Sequence, residues 1–129
     1  MTKITSLLED TEKALALLEE VVAMEKSAIV RDAAIQRFEI AFELLWKAAK
    51  AVLEDRYNTK CLSPRACFRA AFKHELIEHD DFWMELTKLR NYTSHTYNEE
   101  VAEYVFGNIP KSLQYFQQLY DSVKHASKQ

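Results

Sequence analysis

Glycine and proline are almost absent from this chain, which has one Gly and two Pro in 129 residues. Tight hairpins between strands depend on turns rich in Gly, Asn or Pro, so a sheet of many strands would lack the turn residues it needs. Apolar residues make up 48% of the sequence and charged residues 29%, which excludes a disordered chain. The sequence therefore predicts a helical protein with a folded core.

A chain of this length has room for one core, and residues 1–129 are predicted to form a single domain. The N-terminus becomes charged too early for a secretory leader, and the longest apolar run, Ile40 to Trp46, is interrupted by Glu43. These features predict a cytoplasmic protein without a membrane segment. In that compartment Cys61 and Cys67 are expected to be reduced thiols.

Apolar residues recur at helical spacing in five segments. The predicted helices cover residues 4–24, 29–56, 64–76, 82 to at least 90, and 98 to near the C-terminus. Gly107 and Pro110 are expected to bend or split the last of them. This order predicts an all-α, antiparallel up-and-down bundle with four main helices and a short one.

Three of these helices have recognisable start signals. Ser63 is a capping residue, and Pro64 suits a first helical turn because no N–H is needed there. Asp80 and Asp81 precede the fourth helix, and Asn98 precedes the last. The sequence therefore locates these helix starts more firmly than the helix ends.

The net charge of −3 argues against a protein that coats nucleic acid non-specifically. The charge is nevertheless uneven. Residues 1–30 have three Lys against six acidic residues, whereas residues 44–74 have seven Lys or Arg against two acidic residues. A local anion-binding surface in the middle of the chain is therefore compatible with the sequence.

A polar segment, residues 88–98, follows the apolar part of the fourth helix. Asn91 and His95 are four residues apart and would share a helix face, but Arg90 and His95 would lie about 140° apart around an ideal helix. Arg90 and His95 would address one ligand only if Arg90 reaches across or the helix unwinds near residues 93–96. Spacing alone favours another interpretation, in which these side chains cap a helix end.

Two segments resemble a known family. The first is Arg90-Asn91-Tyr92-Thr93-Ser94-His95-Thr96-Tyr97, which is similar to the R-x4-H-x-Y motif of the HEPN superfamily and specifically of the HepT-like toxins, also known as nucleotidyltransferase substrate-binding proteins. The second, residues 37–47, resembles the second-helix signature of that family, an Arg-Phe-Glu run followed by a Glu and a Trp-Lys pair. With the surrounding helices, the resemblance covers essentially the whole chain.

The resemblance implies a HEPN-like bundle that forms a homodimer, pairs with a minimal nucleotidyltransferase antitoxin and, in active members, cleaves RNA without a metal. It implies Arg90, Asn91 and His95 as the catalytic residues. An imidazole titrates near neutral pH and suits proton transfer, and a guanidinium suits the charge on a phosphorane. Asn91 would orient His95 or a phosphate oxygen. Tyr97 corresponds to the tyrosine to which the partner attaches AMP, although a role in capping the core is an equal alternative.

Cleavage of RNA requires both an acid and a base, while each chain has one His in this motif. A two-fold axis through the motif would place two His and two Arg in one cleft. The dimer is therefore predicted to be the catalytic unit. Trp46 and Trp83 lie on apolar stripes and are expected in the core or at the dimer seam.

Lys47, Lys50, Arg65 and Arg69 are candidate contacts for RNA phosphates, with an ordinary solvated surface as the alternative. No cofactor is predicted, because the sequence lacks a Gly-rich phosphate loop. No metal site is predicted either. The segment from His74 to His79 lacks a Glu-x-x-His pair and is interpreted as a solvated helix end.

Three functions are consistent with the sequence. The first is a ribonuclease toxin whose nucleotidyltransferase partner neutralises it. The second is a non-catalytic subunit that presents a substrate to the nucleotidyltransferase. The third is a structural dimerisation module.

Overall fold

The computed structural model describes residues 2–129. Over this range the chain forms five α-helices and one 3₁₀ turn. The elements are α1 (Lys3–Val22), α2 (Ala28–Tyr57), α3 (Pro64–Lys73), α4 (Phe82–Tyr92), the 3₁₀ turn (Thr93–His95) and α5 (Glu99–Ser127). These residues contain no strand, so the predicted all-α bundle is confirmed. No helix among them combines the length and apolar character needed to span a bilayer.

The core lies where α1, α2 and α5 pack against one another, and α3 and α4 close one side of it. Aromatic rings connect these helices. Phe38 of α2 stacks on Phe116 of α5 with 5.6 Å between ring centroids, and Phe42 meets Phe68 of α3 edge to face at 5.8 Å. All four rings are almost completely buried. α2 therefore provides the surface on which α1, α3 and α5 assemble.

Capping explains where the helices begin. The Ser63 hydroxyl accepts a hydrogen bond from the Ala66 N–H at 3.1 Å. The Asn98 side chain accepts from the N–H groups of Glu100 and Val101 at 2.9 and 3.2 Å. Both predicted caps are therefore confirmed, because each side chain satisfies amides that have no partner within the helix.

Helix ends differ from the prediction. α1 ends at Val22 instead of residue 24, and α3 ends at Lys73 instead of residue 76. After α3, Glu75 adopts a left-handed conformation with φ 63°, and the Leu76 N–H donates to the Ala71 carbonyl at 2.8 Å. This reversal stops α3 although apolar spacing continues to Leu76.

The expected split of α5 is wrong, since it is one helix from Glu99 to Ser127. Pro110 is exposed, whereas its neighbours Ile109 and Leu113 are buried in the core. Proline removes one hydrogen bond of the helix, but burial of the flanking apolar side chains keeps both halves in place.

The expectation of reduced cysteines is also wrong, because Cys61 and Cys67 form a disulfide bond. The loop after α2 folds back onto α3 and brings the two Cα atoms to 5.1 Å, within bonding range. Both side chains are buried, and Leu53 packs against them. A spacing of six residues gives no sign of this proximity, so only the loop path reveals it.

Asp80 joins the start of α4 to α5. One carboxylate oxygen accepts from the Phe82 N–H at 2.9 Å, and the other accepts from the Tyr115 hydroxyl. The pKa of Asp80 lies below its ordinary value. The main cause is the hydrogen bond from Tyr115, followed by the hydrogen bond from the Phe82 amide and the nearby charges of Lys111 and His79. The charged carboxylate therefore stabilises the fold at neutral pH.

We expect Tyr115→Phe to raise the pKa of Asp80 toward its ordinary value. A lowered carboxyl pKa adds stability above the unfolded pKa, and this stability disappears as the pH falls through the lowered value. The Tm difference between wild type and variant should therefore be present at neutral pH and shrink as the pH falls below the ordinary carboxyl pKa of about 4. Carboxyl chemical shifts and thermal melts across the acid range test this.

Glu99 is the internal control, because Arg31 lowers its pKa at a different place in the fold. Its titration should be the same in both proteins. An unchanged Asp80 titration in Tyr115→Phe would show that the hydroxyl does not hold the carboxylate.

Candidate functional site

The motif segment lies where α4 changes its geometry. α4 ends at Tyr92, and residues Thr93–His95 continue as a tighter 3₁₀ turn. The Thr93 hydroxyl donates a hydrogen bond to the Arg90 carbonyl at 2.6 Å, and the Asn98 N–H donates one to the His95 carbonyl at 3.1 Å. A hydroxyl that occupies a helix carbonyl competes with the regular backbone pattern. The helix thus departs from α geometry within residues 93–96, one of the two conditions under which Arg90 and His95 could address one ligand.

Arg90 is held by a carboxylate of α2. Its Nε donates to Glu43 Oε1 at 2.8 Å and its Nη1 to Thr93 Oγ1 at 3.3 Å. The second oxygen of Glu43 accepts from the Trp46 indole N–H at 3.1 Å. Arg90 and Glu43 are both about one third exposed or less. This geometry fixes the guanidinium at the surface, and within residues 2–129 its Nη2 has no hydrogen-bond partner.

A cleft of about 230 Å³ lies between the end of α4 and the start of α3. The residues that line it are Phe42, Ser63, Pro64, Arg65, Thr87, Arg90 and Asn91. Two of these side chains are cationic and none is acidic. The cleft therefore suits an anionic group such as a phosphate.

His95 is not one of the residues that line this cleft. Its side chain is exposed on the 3₁₀ turn, with its ring 6.0 Å from that of Tyr97. The structure thus brings Arg90 and Asn91 together and leaves the imidazole of the same chain outside their cleft. The helix face that Asn91 and His95 were predicted to share ends at Tyr92.

Tyr97 is 81% exposed, in the short segment between the 3₁₀ turn and α5. Other tyrosines nearby are tied to the fold. The Tyr104 hydroxyl donates to Glu85 Oε1 at 2.5 Å, and the Tyr115 hydroxyl donates to Asp80. The alternative in which Tyr97 caps the core is wrong, because its phenol projects into solvent.

The four candidate RNA contacts occupy different places. Arg65 lines the cleft with Arg90, whereas Arg69 lines a neighbouring cavity of about 220 Å³. Lys50 lies with its ammonium 5.9 Å from the centre of the Trp46 ring, and Lys47 is exposed on α2. One of the four predicted cations, Arg65, is therefore directly at the cleft.

Sequence reasoning missed the two side chains of α2 that anchor the motif. Glu43 holds Arg90 at one end, and Arg31 holds Glu99, the first residue of α5, at the other. Arg31 is 9% exposed and donates to both oxygens of Glu99, at 2.6 and 3.2 Å. This pair lowers the pKa of Glu99 and raises that of Arg31. The turn between Arg90 and Glu99 is thus fixed at both ends.

A signal for Glu43 existed in the sequence. It is the single charge in the apolar run from Ile40 to Trp46, and it precedes the tryptophan by three residues, which brings the two side chains together on a helix. A carboxylate on an apolar stripe needs a hydrogen-bond donor, and the Trp46 indole is one of the two donors that Glu43 has. Nothing in the sequence identified Arg90 as the other.

The segment from His74 to His79 is only partly the solvated helix end that was expected. His79 and Glu78 are exposed, but His74 is half-buried, with Nε2 2.9 Å from the Thr59 hydroxyl and its ring stacked on Tyr57 at 4.6 Å. Across the described part of the chain, no three side chains of His, Cys, Asp or Glu converge as a metal site.

Comparison with known proteins identifies relatives along nearly the whole chain. The family described as "Nucleotidyltransferase substrate binding protein like" matches residues 6–125. A Haemophilus influenzae protein named "Probable ribonuclease HepT" is 36% identical over 84 residues, which cover 62% of this chain. The chain spans 58% of the length of that relative.

Solved structures share the fold. A crystal structure of a Thermus thermophilus protein superposes with a TM-score of 0.83 at 35% identity, over 88% of this chain and 98% of that one. A second structure, from Haemophilus influenzae, is described as revealing the fold of a substrate binding domain of a nucleotidyltransferase. It has a TM-score of 0.76 and 26% identity, over 91% of this chain and 98% of that one.

The family match spans most of the chain, and the solved structures share its helical fold. The chain therefore belongs to the nucleotidyltransferase substrate binding protein like family.

Proposed function

We propose that this chain is the toxin of a toxin–antitoxin pair and acts as a metal-independent endoribonuclease. The observation that carries the proposal is the cationic cleft in which Arg90 and Asn91 meet Arg65, with Arg90 fixed by Glu43. A relative that is named a probable ribonuclease supports the same activity. A phosphodiester linkage of RNA is an anion of the size and charge that such a cleft accommodates.

The reaction uses the 2′-hydroxyl of the substrate as the nucleophile. The 2′-oxygen bonds to the adjacent phosphorus and the bond from phosphorus to the 5′-oxygen breaks, which leaves a cyclic phosphate and a 5′-hydroxyl. One group removes the proton of the 2′-hydroxyl, and another protonates the leaving oxygen. Arg90 stabilises the charge on the phosphorane, while Asn91 orients a phosphate oxygen.

The homodimer completes this site. His95 is exposed, as transfer of protons to a substrate requires, yet it lies outside the cleft of its own chain. A two-fold axis that passes close to the 3₁₀ turn would bring the His95 of each protomer to the cleft of the other. Two imidazoles would then supply the acid and the base.

A minimal nucleotidyltransferase is the proposed antitoxin, and it transfers AMP from ATP to the Tyr97 hydroxyl, with release of pyrophosphate and of the phenolic proton. Nucleotide transfer needs an accessible phenol, and Tyr97 is 81% exposed, whereas the Tyr104 and Tyr115 hydroxyls donate to carboxylates. Tyr97 lies two residues from His95, with 6.0 Å between their rings. A nucleotide on Tyr97 would add negative charge and bulk beside the imidazole and so block RNA.

The second candidate function is a non-catalytic subunit that binds the substrate of a nucleotidyltransferase. The family description and the Haemophilus influenzae structure both favour it. In that case the same cleft would hold a phosphate-bearing substrate and His95 would not transfer protons. Substitution of His95 distinguishes the two functions.

We expect His95→Ala to lower the rate of RNA cleavage by about 10²–10⁴-fold, because general acid–base catalysis contributes that range. Single-turnover cleavage of an end-labelled RNA, with EDTA present, measures the effect. A substrate with one 2′-deoxynucleotide at the cleavage position should resist the wild type.

His125→Ala is the matched control, since His125 is exposed in the last turn of α5. It should cleave RNA like the wild type. Equal rates for His95→Ala and wild type would remove the ribonuclease function and leave the substrate-binding function.

Glu43→Gln tests whether the α2 carboxylate positions Arg90. The amide has a similar size but loses the negative charge that holds the guanidinium, so kcat for RNA cleavage should fall by about 10- to 100-fold, with KM changed less. Glu43→Asp should recover part of kcat. Steady-state kinetics and thermal melts measure both effects.

Glu54→Gln is the control for this experiment, because Glu54 is an exposed carboxylate further along α2. It should leave kcat unchanged. A loss of Tm in Glu43→Gln that accounts for its loss of activity would assign Glu43 a purely structural role.

Co-expression with a minimal nucleotidyltransferase encoded by the neighbouring gene tests Tyr97. The intact mass of the chain should increase by one AMP, because Tyr97 presents a free phenol, and Tyr97→Phe should abolish the increase. Tyr92→Phe is the control, since Tyr92 is 39% exposed in the same motif and should leave the modification intact. An unmodified wild-type chain would contradict the proposal.

A further inference from the structure

We propose that Cys61 and Cys67 are a reversible thiol–disulfide pair that orders one wall of the cleft, so that closing the bond strengthens the binding of RNA. The cysteine chemistry stands on the structure of the loop alone. The effect on RNA rests on the proposed function.

The disulfide encloses the residues that form the cleft wall. Ser63, Pro64 and Arg65 all lie between the two cysteines, and all three line the cleft that Arg90 and Asn91 border. Without the covalent bond, the segment before α3 would be held by the hydrogen bond between Thr59 and His74, by the Ser63 cap and by apolar contacts. Arg65 is exposed and has no ion pair within residues 2–129, so its position depends on the backbone that carries it.

A second path connects the disulfide to Arg90. The sulfur atoms belong to a small buried cluster with Leu53, and Trp46 packs against that cluster. The Trp46 indole N–H donates to Glu43, whose other oxygen accepts from Arg90. A change in the cluster therefore reaches both cationic side chains of the cleft, Arg65 through the backbone and Arg90 through Trp46 and Glu43.

The location of the pair suits reversible exchange. Both cysteines are buried, but Cys67 belongs to α3, whereas Cys61, 4% exposed, lies in the loop between α2 and α3, next to Leu62, which is 84% exposed. Local opening of this loop exposes Cys61 without unfolding of the long helices. Attack on the Cys61 sulfur is then the route by which a small thiol enters.

The oxidant is a low-molecular-weight disulfide such as glutathione disulfide. Two thiols of the chain and one glutathione disulfide give one protein disulfide and two glutathione molecules. A mixed disulfide forms first, and the second cysteine displaces glutathione from it. Two electrons pass from the cysteines to the oxidant, and the two protons end on the released thiols.

The oxidised protein is expected to bind RNA more tightly because the disulfide orders the cleft wall. A fixed Arg65 loses less side-chain and loop freedom on binding, so the oxidised protein should bind RNA about 3- to 10-fold more tightly than the reduced protein. The disulfide also restricts the unfolded chain, so the oxidised protein should have a Tm that is several degrees higher than that of the reduced protein.

The first test examines the loop without RNA. The protein is equilibrated in glutathione buffers of defined redox potential, free thiols are alkylated, and intact mass counts them. Trypsin then probes the peptide bonds after Lys60 and Arg65, both exposed, with the bond after Lys128 as an internal reference. We expect no free thiol in the oxidised form, two in the reduced form, and severalfold faster cleavage at both loop positions after reduction.

The second test measures RNA binding in the His95→Ala background, so that the RNA stays intact. Oxidised protein should bind more tightly than reduced protein. Arg65→Ala should reduce this difference, because only the path to Arg90 remains, whereas Arg69→Ala, one turn further along α3 and outside the cleft, should keep it in full. The variant Cys61→Ala/Cys67→Ala should behave like the reduced protein in either buffer.

The outcomes separate the two proposals. Equal trypsin rates in both redox states, or thiols that glutathione disulfide fails to oxidise, would overturn the inference about the cysteines whatever the protein binds. Redox-dependent trypsin cleavage without any RNA binding would keep the reversible pair and reject RNA as the ligand. An equal redox effect on binding in Arg65→Ala would show that the wall does not act through Arg65.

Discussion

The hydrogen bond from Arg90 to Glu43 links the central helix to the motif and fixes the geometry of the cleft. α2 is packed by α1, α3 and α5, so a charge on its flank must find a partner. Glu43 has two, the guanidinium of Arg90 and the indole N–H of Trp46. Because both oxygens of the carboxylate are engaged, the position of Arg90 is determined by the core and not by the flexible length of its own side chain.

The segment after Arg90 combines firm ends with an exposed middle. Arg31 secures Glu99 on α5, and Thr93 turns the end of α4 through its hydroxyl. Between these contacts, His95 and Tyr97 remain in solvent. The segment therefore combines ends that are anchored by Glu43 and Arg31 of α2 with exposed side chains in its middle.

The helices were predictable because their causes are local. Apolar spacing and the caps at Ser63 and Asn98 act over a few residues, and the structure has these helix starts where the sequence indicated them. Helix ends were less predictable. Glu75 takes a left-handed conformation that its residue type does not favour, and Pro110 remains inside α5 because packing on both sides outweighs one lost hydrogen bond.

The sequence by itself determined the helical class, the order of the segments and the polar motif with its Arg, Asn, His and Tyr. Only the tertiary structure decided that Glu43 holds Arg90, that Arg65 joins the same cleft while His95 does not, and that Cys61 bonds to Cys67. The physical reason is range. Helical periodicity and capping are interactions between near neighbours, whereas Glu43 and Arg90 are 47 residues apart and meet only after the helices have packed.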